Sequence, residues 1–459
     1  MKRLSRLFTA VITAAVLVSG CSMGGKSSDP NVIDYWLWDS SQQPAYEKCA
    51  AEFQRENPEL RVKFTQYGWA DYWSKLTAGF IAGVGPDVFT NHLSKYTQFV
   101  DLNVLYPLDE LDATKSITDD SYIAGLAALW KGQDGHRYGA PKDWDTVAYF
   151  YNRDLVRDAG ISERDLQTMT WNPQDGGTFA KVLARLTVDA NGKRGDEPGF
   201  DRSTVRTYGL AGNDSGFSSF GQTQWSPYTG SIGWQVTDRN PWGSVFNFDD
   251  ANFQRTLDWY FGLSRKGLMA PYSTAGNPDS AFGGDKQLSS GKAAMALNGD
   301  WMISTFTKLT DGSGRPIPIG IAPTPIGPSG KRASMFNGLA DSVSRQAKSP
   351  ENAAKWVAFL AGSRCQTIVG QSAVVFPARP EGTEAALEAH RRANLDVSAF
   401  TNHIRDNTTF LFPVTRNAAD IAALLRPSLD SIYLGTKRPE VMTKTNEQIN
   451  ETMRLSSGG

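Results

Sequence analysis

The alternation of apolar and polar positions near the start of the chain predicts strands and helices that follow one another in turn. In chain order these are a strand over residues 32–38, a helix over 44–57, a strand over 60–64, a helix over 71–82 and, over 85–90, a turn that enters another strand. This order predicts a parallel sheet with right-handed crossovers. Because open α/β sheets bind ligands beyond the carboxyl ends of their strands, we expect a ligand crevice around Trp38, Trp69 and Asn91.

The later chain carries a looser pattern. Residues 171–252 are rich in Gly, Asn, Asp, Ser and Trp and predict an elaborated second lobe. Ser349 as N-cap and Pro350 at the first helical position, followed by an apolar stripe, predict a helix up to Leu360. Residues 417–435 predict another helix, kinked by the proline inside it.

The first twenty residues have the pattern of a secretory signal peptide, with basic residues before an apolar run over residues 7–18. That run is shorter than the roughly 20 residues that a membrane-spanning helix needs, which argues against a permanent transmembrane anchor. A small Ser-Gly pair directly precedes Cys21. We therefore expect residues 1–20 to be removed, Cys21 to carry a lipid such as palmitate, and residues 21–30 to form a flexible tether. An ordinary cleaved signal peptide followed by a chance cysteine is the alternative.

Chain length and charge limit the classes of partner. A chain of 459 residues exceeds the size at which a single core stops growing, so we expect two lobes. The formal net charge is −1, and no basic stripe indicates a nucleic-acid partner. Outside the first twenty residues we find no segment that predicts membrane contact, so the protein is expected to be extracytoplasmic and held at the cell membrane by its lipid alone.

Two cysteines remain besides Cys21. Cys49 and Cys365 each fall on the apolar face of a predicted helix. In an oxidising compartment such a pair favours a disulfide. Two buried free thiols would give the same pattern, because a sequence does not fix the distance between the two Cα atoms.

The usual motifs of enzymes and metal proteins are missing from the sequence. The four histidines show no metal-ligand spacing, and the chain has no HExxH, CxxC, GxSxG or Walker phosphate-loop motif. Residues 189–193 and 327–331 superficially resemble calcium and phosphate loops, but turns explain them better. We therefore predict no catalytic residue, no metal and no cofactor.

An excess of tryptophan is the positive signal. The chain has thirteen, many of them beside Asp, Asn, Gln or Gly in predicted loops. Sugar rings match this pairing, because their C–H faces pack on indoles while their hydroxyls need polar partners. Core packing is the commoner role of any single tryptophan. Trp38, Trp69, Trp225 and Trp301 lie at element ends with polar neighbours and are the candidates for a ligand cleft.

Several stretches together form a recognisable series. They are residues 85–89 (GPDVF), 137–146 (RYGAPKDWDT) running on to 151–155 (YNRDL), 291–301 (GKAAMALNGDW), 337–339 (NGL), the predicted helix from Ser349, and 375–379 (VFPAR). In this order they resemble the extracellular solute-binding proteins of the maltose-binding-protein type, which supply sugars to ABC importers. The resemblance covers nearly all of the chain beyond the signal peptide.

The resemblance implies an α/β, two-lobed fold of the type II periplasmic-binding-protein kind, with three crossings between lobes. The implied division is 31–140 and 316–371 for the first lobe, and 141–315 and 372–459 for the second. The crossings, near residues 139–141, 315–317 and 372–374, would act as the hinge for closure around a ligand.

The resemblance also implies most of the ligand contacts. Together with the tryptophan candidates, the expected ligand-binding residues are Trp38, Asp39, Ser40, Gln42, Trp69, Asn91, Asp145, Trp225, Asp300, Trp301, Asn337, Gly338, Leu339 and Arg416. Asp145 could instead brace the crossing, and Asp300 could bond only solvent. Maltose-type receptors have a further aromatic residue in the late helix where this chain has Ala422 and Ala423, which puts a preference for malto-oligosaccharides in question.

These expectations give a function and its rivals. The chain would be a monomeric lipoprotein that captures a disaccharide or short oligosaccharide and delivers it to the transmembrane subunits of an ABC permease. The alternatives are a receptor of the same fold for a glycerophosphate-type or polyol ligand, a surface carbohydrate-cleaving enzyme, and an adhesion lipoprotein without a small ligand. A carboxylate pair across the cleft would favour the enzyme, and a flat surface between the lobes would favour the adhesin.

Overall fold

The computed structural model describes residues 28–123, 125–275 and 282–457. The predicted signal peptide, the lipidation site Cys21 and most of the tether lie outside the described residues. Within the described part of the chain, no helix combines the length and apolar character needed to cross a membrane.

The strands match the predicted order near the start of the chain. They are β1 (Val32–Leu37), β2 (Arg61–Gln66), β3 (Val88–His92), β4 (Ala140–Pro141), β5 (Asp143–Trp144), β6 (Val147–Asn152), β7 (Val188–Asp189), β8 (Val205–Leu210), β9 (Ala293–Gly299), β10 (Ile319–Ala322), β11 (Ser334–Phe336), β12 (Leu339–Val343), β13 (Phe376–Pro377) and β14 (Thr409–Leu411).

The helices surround these strands. They are α1 (Gln43–Glu56), α2 (Trp69–Ala82), α3 (Leu93–Asp101), α4 (Arg153–Asp158), α5 (Glu163–Gln167), α6 (Gly177–Leu186), α7 (Ser226–Ser231), α8 (Ala251–Arg265), α9 (Tyr272–Ala275), α10 (Gly284–Ser289), α11 (Ile303–Phe306), α12 (Pro350–Leu360), α13 (Ser363–Gln371), α14 (Pro380–Arg392), α15 (Ser398–Arg405), α16 (Ala418–Tyr433) and α17 (Val441–Ser457). Short 3-10 turns lie at Leu108–Glu110, Asp119–Ser121, Ala127–Trp130 and Asp300–Met302.

The first lobe is built on a sheet in the order β2-β1-β3-β12-β4. β1 pairs in parallel with β2 and β3, which confirms the predicted βαβαβ unit. β12 returns from much later in the chain and pairs antiparallel with β3. Helices cover both faces, since Tyr35 packs on Trp356 of α12 at 5.9 Å between ring centroids and Phe89 packs on Phe99 of α3 at 5.8 Å.

The second lobe is built on a sheet in the order β10-β6-β9-β8-β7. Neighbouring residues of β6 serve opposite faces, as the strand period requires. Phe150 stacks on Phe306 at 4.2 Å between ring centroids, whereas Tyr149 packs on Phe179 at 5.1 Å. This α/β architecture with two lobes agrees with the predicted fold class.

Two of the three crossings between the lobes lie at other positions in the structure than the sequence predicted. The first runs from β4 to β6, close to the prediction. The second lies between β10 and β12, because β10 pairs with β6 of the second lobe; assigning residues 316–322 to the first lobe was wrong. The third lies between α14, which packs on α13 of the first lobe, and α15, which packs on β6; residues 372–392 were therefore wrongly assigned to the second lobe. Residues 315–317 and 372–374 are not crossings.

Cys49 and Cys365 form a disulfide in the structure. Their Cα atoms lie 5.2 Å apart, and the bond joins α1 to α13 within the first lobe across 316 positions of sequence. Both residues are fully buried.

Candidate functional site

A cavity of about 330 Å³ lies between the two lobes. This volume is within the range of roughly 300–1,000 Å³ that is usual for small-molecule sites. Its walls come from the carboxyl ends of first-lobe strands, from the first two crossings and from the loops of the second lobe. The cavity therefore lies where the parallel strand order predicts a ligand crevice.

Aromatic rings form the first-lobe wall. Trp38 follows β1, Trp69 begins α2 and Trp73 lies one turn later, so the three indoles converge at the same edge of the sheet. Ring centroids are 5.1 Å apart for Trp38 and Trp69 and 5.3 Å apart for Trp69 and Trp73. Trp69 remains 47% exposed. The first-lobe wall therefore presents an exposed aromatic surface to the cavity without a ligand present.

His92 joins this wall at the end of β3. Its ring lies 5.5 Å from that of Trp69, and its Nε2 lies 3.3 Å from Nδ2 of Asn337. Burial lowers the pKa of His92 to about 3, so the imidazole is neutral at ordinary pH. It contributes a flat polar surface without charge.

The opposing aromatic side chain comes from the second lobe. β9 ends at Gly299, and the next residues, Asp300 and Trp301, begin a 3-10 turn that projects into the cleft. Trp301 is half-buried and lines the cavity across from the first-lobe indoles. A ligand between the lobes can therefore meet aromatic surface from both sides.

Three carboxylates meet beside the crossings. Asp143 accepts a hydrogen bond from the backbone N–H of Leu339 at 2.9 Å. Asp145 accepts from the side chains of Gln222 at 2.6 Å and Asn337 at 3.2 Å. Asp300 accepts from the backbone N–H of Thr146 at 3.2 Å. The supporting donors are thus neutral amides.

Burial dominates the electrostatics of this cluster. It raises the pKa of Asp143 to about 7, although the neighbouring Lys142 opposes the shift. Burial, followed by the charge of Asp143, raises the pKa of Asp145. Burial, followed by the charge of Asp145, also raises the pKa of Asp300. The cluster consequently holds protons more readily than isolated carboxylates would.

Several buried side-chain oxygen atoms on residues that line the cavity have no hydrogen-bond partner among the described residues. They are Asp143 Oδ2, Gln224 Oε1, Asp300 Oδ1 and Asn337 Oδ1. Each is an acceptor on a residue that lines the cavity. Leaving such an atom unsatisfied costs about 1–3 kcal/mol, so a ligand whose donors reach these atoms on closure would recover that free energy.

Nine of the fourteen predicted ligand residues line the cavity. They are Trp38, Asp39, Gln42, Trp69, Asp145, Asp300, Trp301, Asn337 and Leu339. They come from both lobes and from the first two crossings. Ligand contact by these nine stays a prediction.

The other five predicted residues do not line the cavity. Trp225 is fully buried and donates its indole N–H to the carbonyl of Ser215, so it is a core residue. Asn91 points away from the cleft, because its amide donates to the hydroxyl of Ser342 inside the first-lobe sheet. These two assignments were wrong, and packing within each lobe is the physical reason.

Ser40, Gly338 and Arg416 also lie outside the lining of the cavity, and ligand contact by them stays a prediction. Ser40 is exposed outside the cavity. A Cβ atom on Gly338 would lie 2.4 Å from the carbonyl oxygen of Asp143, so this glycine serves the close approach of two crossing segments. Arg416 lies near Asp101 of α3, whose pKa its positive charge lowers against the effect of burial.

Other lining residues were missed. They are Trp73, His92, Ser94, Lys95, Asp143, Trp144, Asn213, Asp214, Ser218, Ser219, Gln222, Thr223, Gln224 and Val375. Trp73 could have been found from its helical spacing to Trp69, and Asp143 from its alternation with Asp145. Residues 213–224 carry no such periodic signal. Among the described residues, no cluster of three or more His, Cys, Asp or Glu side chains could hold a metal ion.

Comparisons with known proteins agree with this architecture. The model of the bacterial extracellular solute-binding protein family matches residues 48–389. An arabinooligosaccharide-binding protein of Bacillus subtilis is 25% identical over 373 residues, covering 79% of this chain and 77% of the relative. A maltooligosaccharide ABC transporter solute-binding lipoprotein of Streptococcus pneumoniae is 25% identical over 394 residues, covering 84% and 82%.

A solved structure shares the fold. An ABC substrate-binding protein of Listeria monocytogenes in complex with cycloalternan superposes with a TM-score of 0.74 at 18% identity. The match covers 93% of this chain and 99% of that chain. The likeness therefore extends over both lobes.

Proposed function

The chain belongs to the bacterial extracellular solute-binding protein family, and from that membership we propose that it is the substrate-binding lipoprotein of an ABC importer. Its ligand is a carbohydrate, a disaccharide or short oligosaccharide, held between the closing lobes and passed to the transmembrane subunits of a permease. Two relatives are named for oligosaccharides, which supports this ligand class.

One observation carries the proposal. The cavity combines indoles on both lobes with buried acceptor oxygens that have no partner among the described residues. A sugar ring presents C–H faces to aromatic surface and hydroxyl donors to acceptors. Because residues of both lobes line the cavity, a sugar that contacts both lobes favours the closed arrangement.

The charge of the cavity argues against a glycerophosphate-type ligand. Five aspartates and a single lysine, Lys95, are the charged residues of its described lining, and burial lowers the pKa of that lysine. A phosphate would face carboxylates without the arginines that commonly bind it. A polyol without a phosphate group would not be repelled by the carboxylates. Polyols should therefore be tested for binding by calorimetry together with the sugars.

The carboxylate cluster is the observation that bears on the alternative of a carbohydrate-cleaving enzyme. Such an enzyme needs one protonated carboxyl and one ionised carboxylate on either side of the scissile bond. Here burial raises the pKa of Asp143, Asp145 and Asp300 alike, which does not separate an acid from a base. Mass spectrometry of oligosaccharides after prolonged incubation would reveal cleavage, and cleavage would replace the receptor proposal.

The concave cavity also argues against an adhesin with a flat surface between the lobes. Isothermal titration calorimetry against a panel of mono-, di- and oligosaccharides tests the receptor directly. We expect one class of sugar to bind, and Trp301→Ala to weaken binding at least about tenfold, the equivalent of about 1.4 kcal/mol. Ile81→Ala, on an exposed side chain outside the cavity, is the matched control. Absence of binding to every sugar by a folded protein would refute the proposal.

Attachment to the membrane through Cys21 is part of the same proposal. A flexible tether would keep the receptor close to its permease and raise its effective concentration there. Cys21→Ala should abolish palmitate labelling and release the protein from the membrane fraction. It should leave sugar affinity unchanged, since the tether precedes both lobes. Retention of the variant in the membrane fraction would contradict the lipid anchor.

The proposed partner is a permease, and the proposed state in solution is a monomer. Cells that lack this protein should lose uptake of the sugar found by calorimetry and regain it on complementation. Light scattering should give one chain per particle with and without sugar. Unchanged uptake of that sugar in the strain that lacks this protein would show that the protein does not supply that permease.

A further inference from the structure

Acidic residues dominate the charge of the cavity. Its lining contains Asp39, Asp143, Asp145, Asp214 and Asp300, against Lys95 alone. Within the described part of the chain, none of these aspartates lies within 4 Å of a basic nitrogen. The nearby Lys142 is turned to the first-lobe sheet, where its ammonium donates to the hydroxyls of Tyr35 and Thr90 at 2.8 Å each. Among the described residues these aspartates therefore form no ion pair, although the charges of Lys142 and Arg426 lower the pKa of Asp143 and Asp214 against the effect of burial.

The unpaired atoms give an independent sign of what is bound. Asp300 and Asp143 line the cavity and are only 1% and 3% exposed, and each has one buried oxygen without a partner among the described residues. A buried carboxylate without a counter-charge is costly, so it either takes up a proton, as the raised pKa of Asp143 and of Asp300 indicates in the absence of a cation, or is paired with a cation. An ammonium group is such a partner, because it has three donors and no acceptor.

The aromatic wall accepts the same group. The indole faces of Trp38 and Trp69 carry the negative side of the ring quadrupole, which attracts cations within about 6 Å. Trp73 of the same wall has a buried indole N–H without a partner among the described residues, which would suit a sugar oxygen that reaches it. Together these groups fit a molecule that has both a sugar ring and a positive charge.

We propose that the ligand is a carbohydrate that bears a protonated amine, with its ammonium placed against Asp300 and Asp143. This inference rests on the proposed function as a carbohydrate receptor and specifies its substrate class. Asp145 is held by Gln222 and Asn337 and completes the negative field around the ammonium. The raised pKa values of the cluster agree with a site whose counter-charge arrives with the ligand.

Calorimetry on matched sugars tests the proposal. The probes are gluco- and galacto-configured mono- and disaccharides in three forms: hydroxyl, N-acetyl and free amine. We expect a free-amine sugar to bind roughly 10- to 100-fold more tightly than its two neutral counterparts, since a hydrogen bond to a charged group is worth about 1.5–3 kcal/mol. Asp300→Asn keeps the shape and removes the charge, so it should abolish that preference.

The controls separate this inference from the proposed function. Asp120→Asn, on an exposed first-lobe turn, should keep the full preference for the amine. Asp145→Asn serves if Asp300→Asn does not fold, and it should reduce the preference in the same direction. If neutral sugars bind at least as well as the amines, the inference is overturned while the receptor function stands. If no sugar of any form binds, both are overturned.

Discussion

Gly299 lies directly beneath the indole of Trp301. A Cβ atom on residue 299 would lie 1.7 Å from that ring, so no residue larger than glycine leaves the indole in place. The backbone itself does not demand glycine, because its φ is −87°. The absence of a side chain at the end of β9 therefore fixes where the second lobe presents its aromatic surface to the cleft.

Gly299→Ala should displace the indole and weaken sugar binding at least about tenfold, while the fold persists. The reason is steric, since the methyl group and the ring would claim the same space. Calorimetry gives the affinity, and near-ultraviolet circular dichroism reports the environment of the indole. Gly312→Ala, where a Cβ would meet nothing within 4 Å, is the matched control. Equal affinity of the two variants would show that Trp301 does not need this position to bind sugar.

The buried carboxylates predict a dependence of stability on pH. The pKa of Asp143 is about 7 in the folded chain, against 3.8 for an exposed carboxyl. The folded state therefore binds more protons than the unfolded state between those values, and stability falls as the pH rises through this window. Burial is the main cause of this raised pKa; the charge of Lys142 and the hydrogen bond from the backbone N–H of Leu339 oppose it, whereas the charges of Asp341 and Asp39 add to it.

The melting temperature of the ligand-free protein should thus decrease from about pH 5 to about pH 8. Asp143→Asn should show a smaller decrease, because the amide does not titrate. The decrease should not vanish, since burial raises the pKa of Asp145 and Asp300 as well. Asp120→Asn should retain the slope of the unmodified protein. Equal slopes for both variants would mean that Asp143 does not titrate in this window.

The sequence predicted the first-lobe elements and the residues that follow their strands because the apolar period alone sets them. The sequence did not show which of two neighbouring residues on a strand faces the cleft. Asn91 and His92 point to opposite faces of β3, so the assignment of Asn91 to the cleft was one position out of phase. Trp225 looked like a cleft residue because its neighbours are polar. Tertiary packing decides otherwise, since a Cβ on Gly221 would lie 2.2 Å from its indole.

The two misplaced crossings have a similar cause. Strand β10 still belongs to the second lobe, and the chain crosses back to the first lobe only after it. Helix α14 still belongs to the first lobe, and the chain crosses to the second lobe only after it. Both decisions depend on pairing between segments far apart in sequence. Residues 213–224 illustrate the same limit, because a loop without periodicity is placed in the cavity by the elements that flank it.

The Cys49–Cys365 bond should contribute about 2–5 kcal/mol to the free energy of unfolding. It closes a long loop, which restricts the unfolded chain more than a short one would. Urea unfolding with and without a reducing agent measures the difference. The Cys49→Ala/Cys365→Ala double variant should be less stable and should not respond to the reducing agent. A urea midpoint that reduction leaves unchanged would contradict this contribution.

A contact outside the cavity joins the two lobes. The indole N–H of Trp242, from the second lobe, donates to the carbonyl of Lys131 in the first lobe at 3.2 Å. Its ring also packs on Tyr96 of α3, with centroids 6.2 Å apart. Because the bond spans the lobes, separating them must break it. This hydrogen bond therefore contributes to the free-energy difference between the open and closed forms.

Trp242→Phe should weaken sugar binding about 2- to 10-fold without touching the cavity, because a net hydrogen bond is worth about 0.5–1.5 kcal/mol. Phenylalanine retains a ring beside Tyr96, so the loss isolates the indole N–H. Trp234→Phe is the matched control, since its N–H donates to the carbonyl of Asn247 at 3.0 Å within the second lobe. That variant should lose stability but keep its affinity. Calorimetry and thermal unfolding of both variants distinguish the roles, and equal affinities would exclude Trp242 from closure.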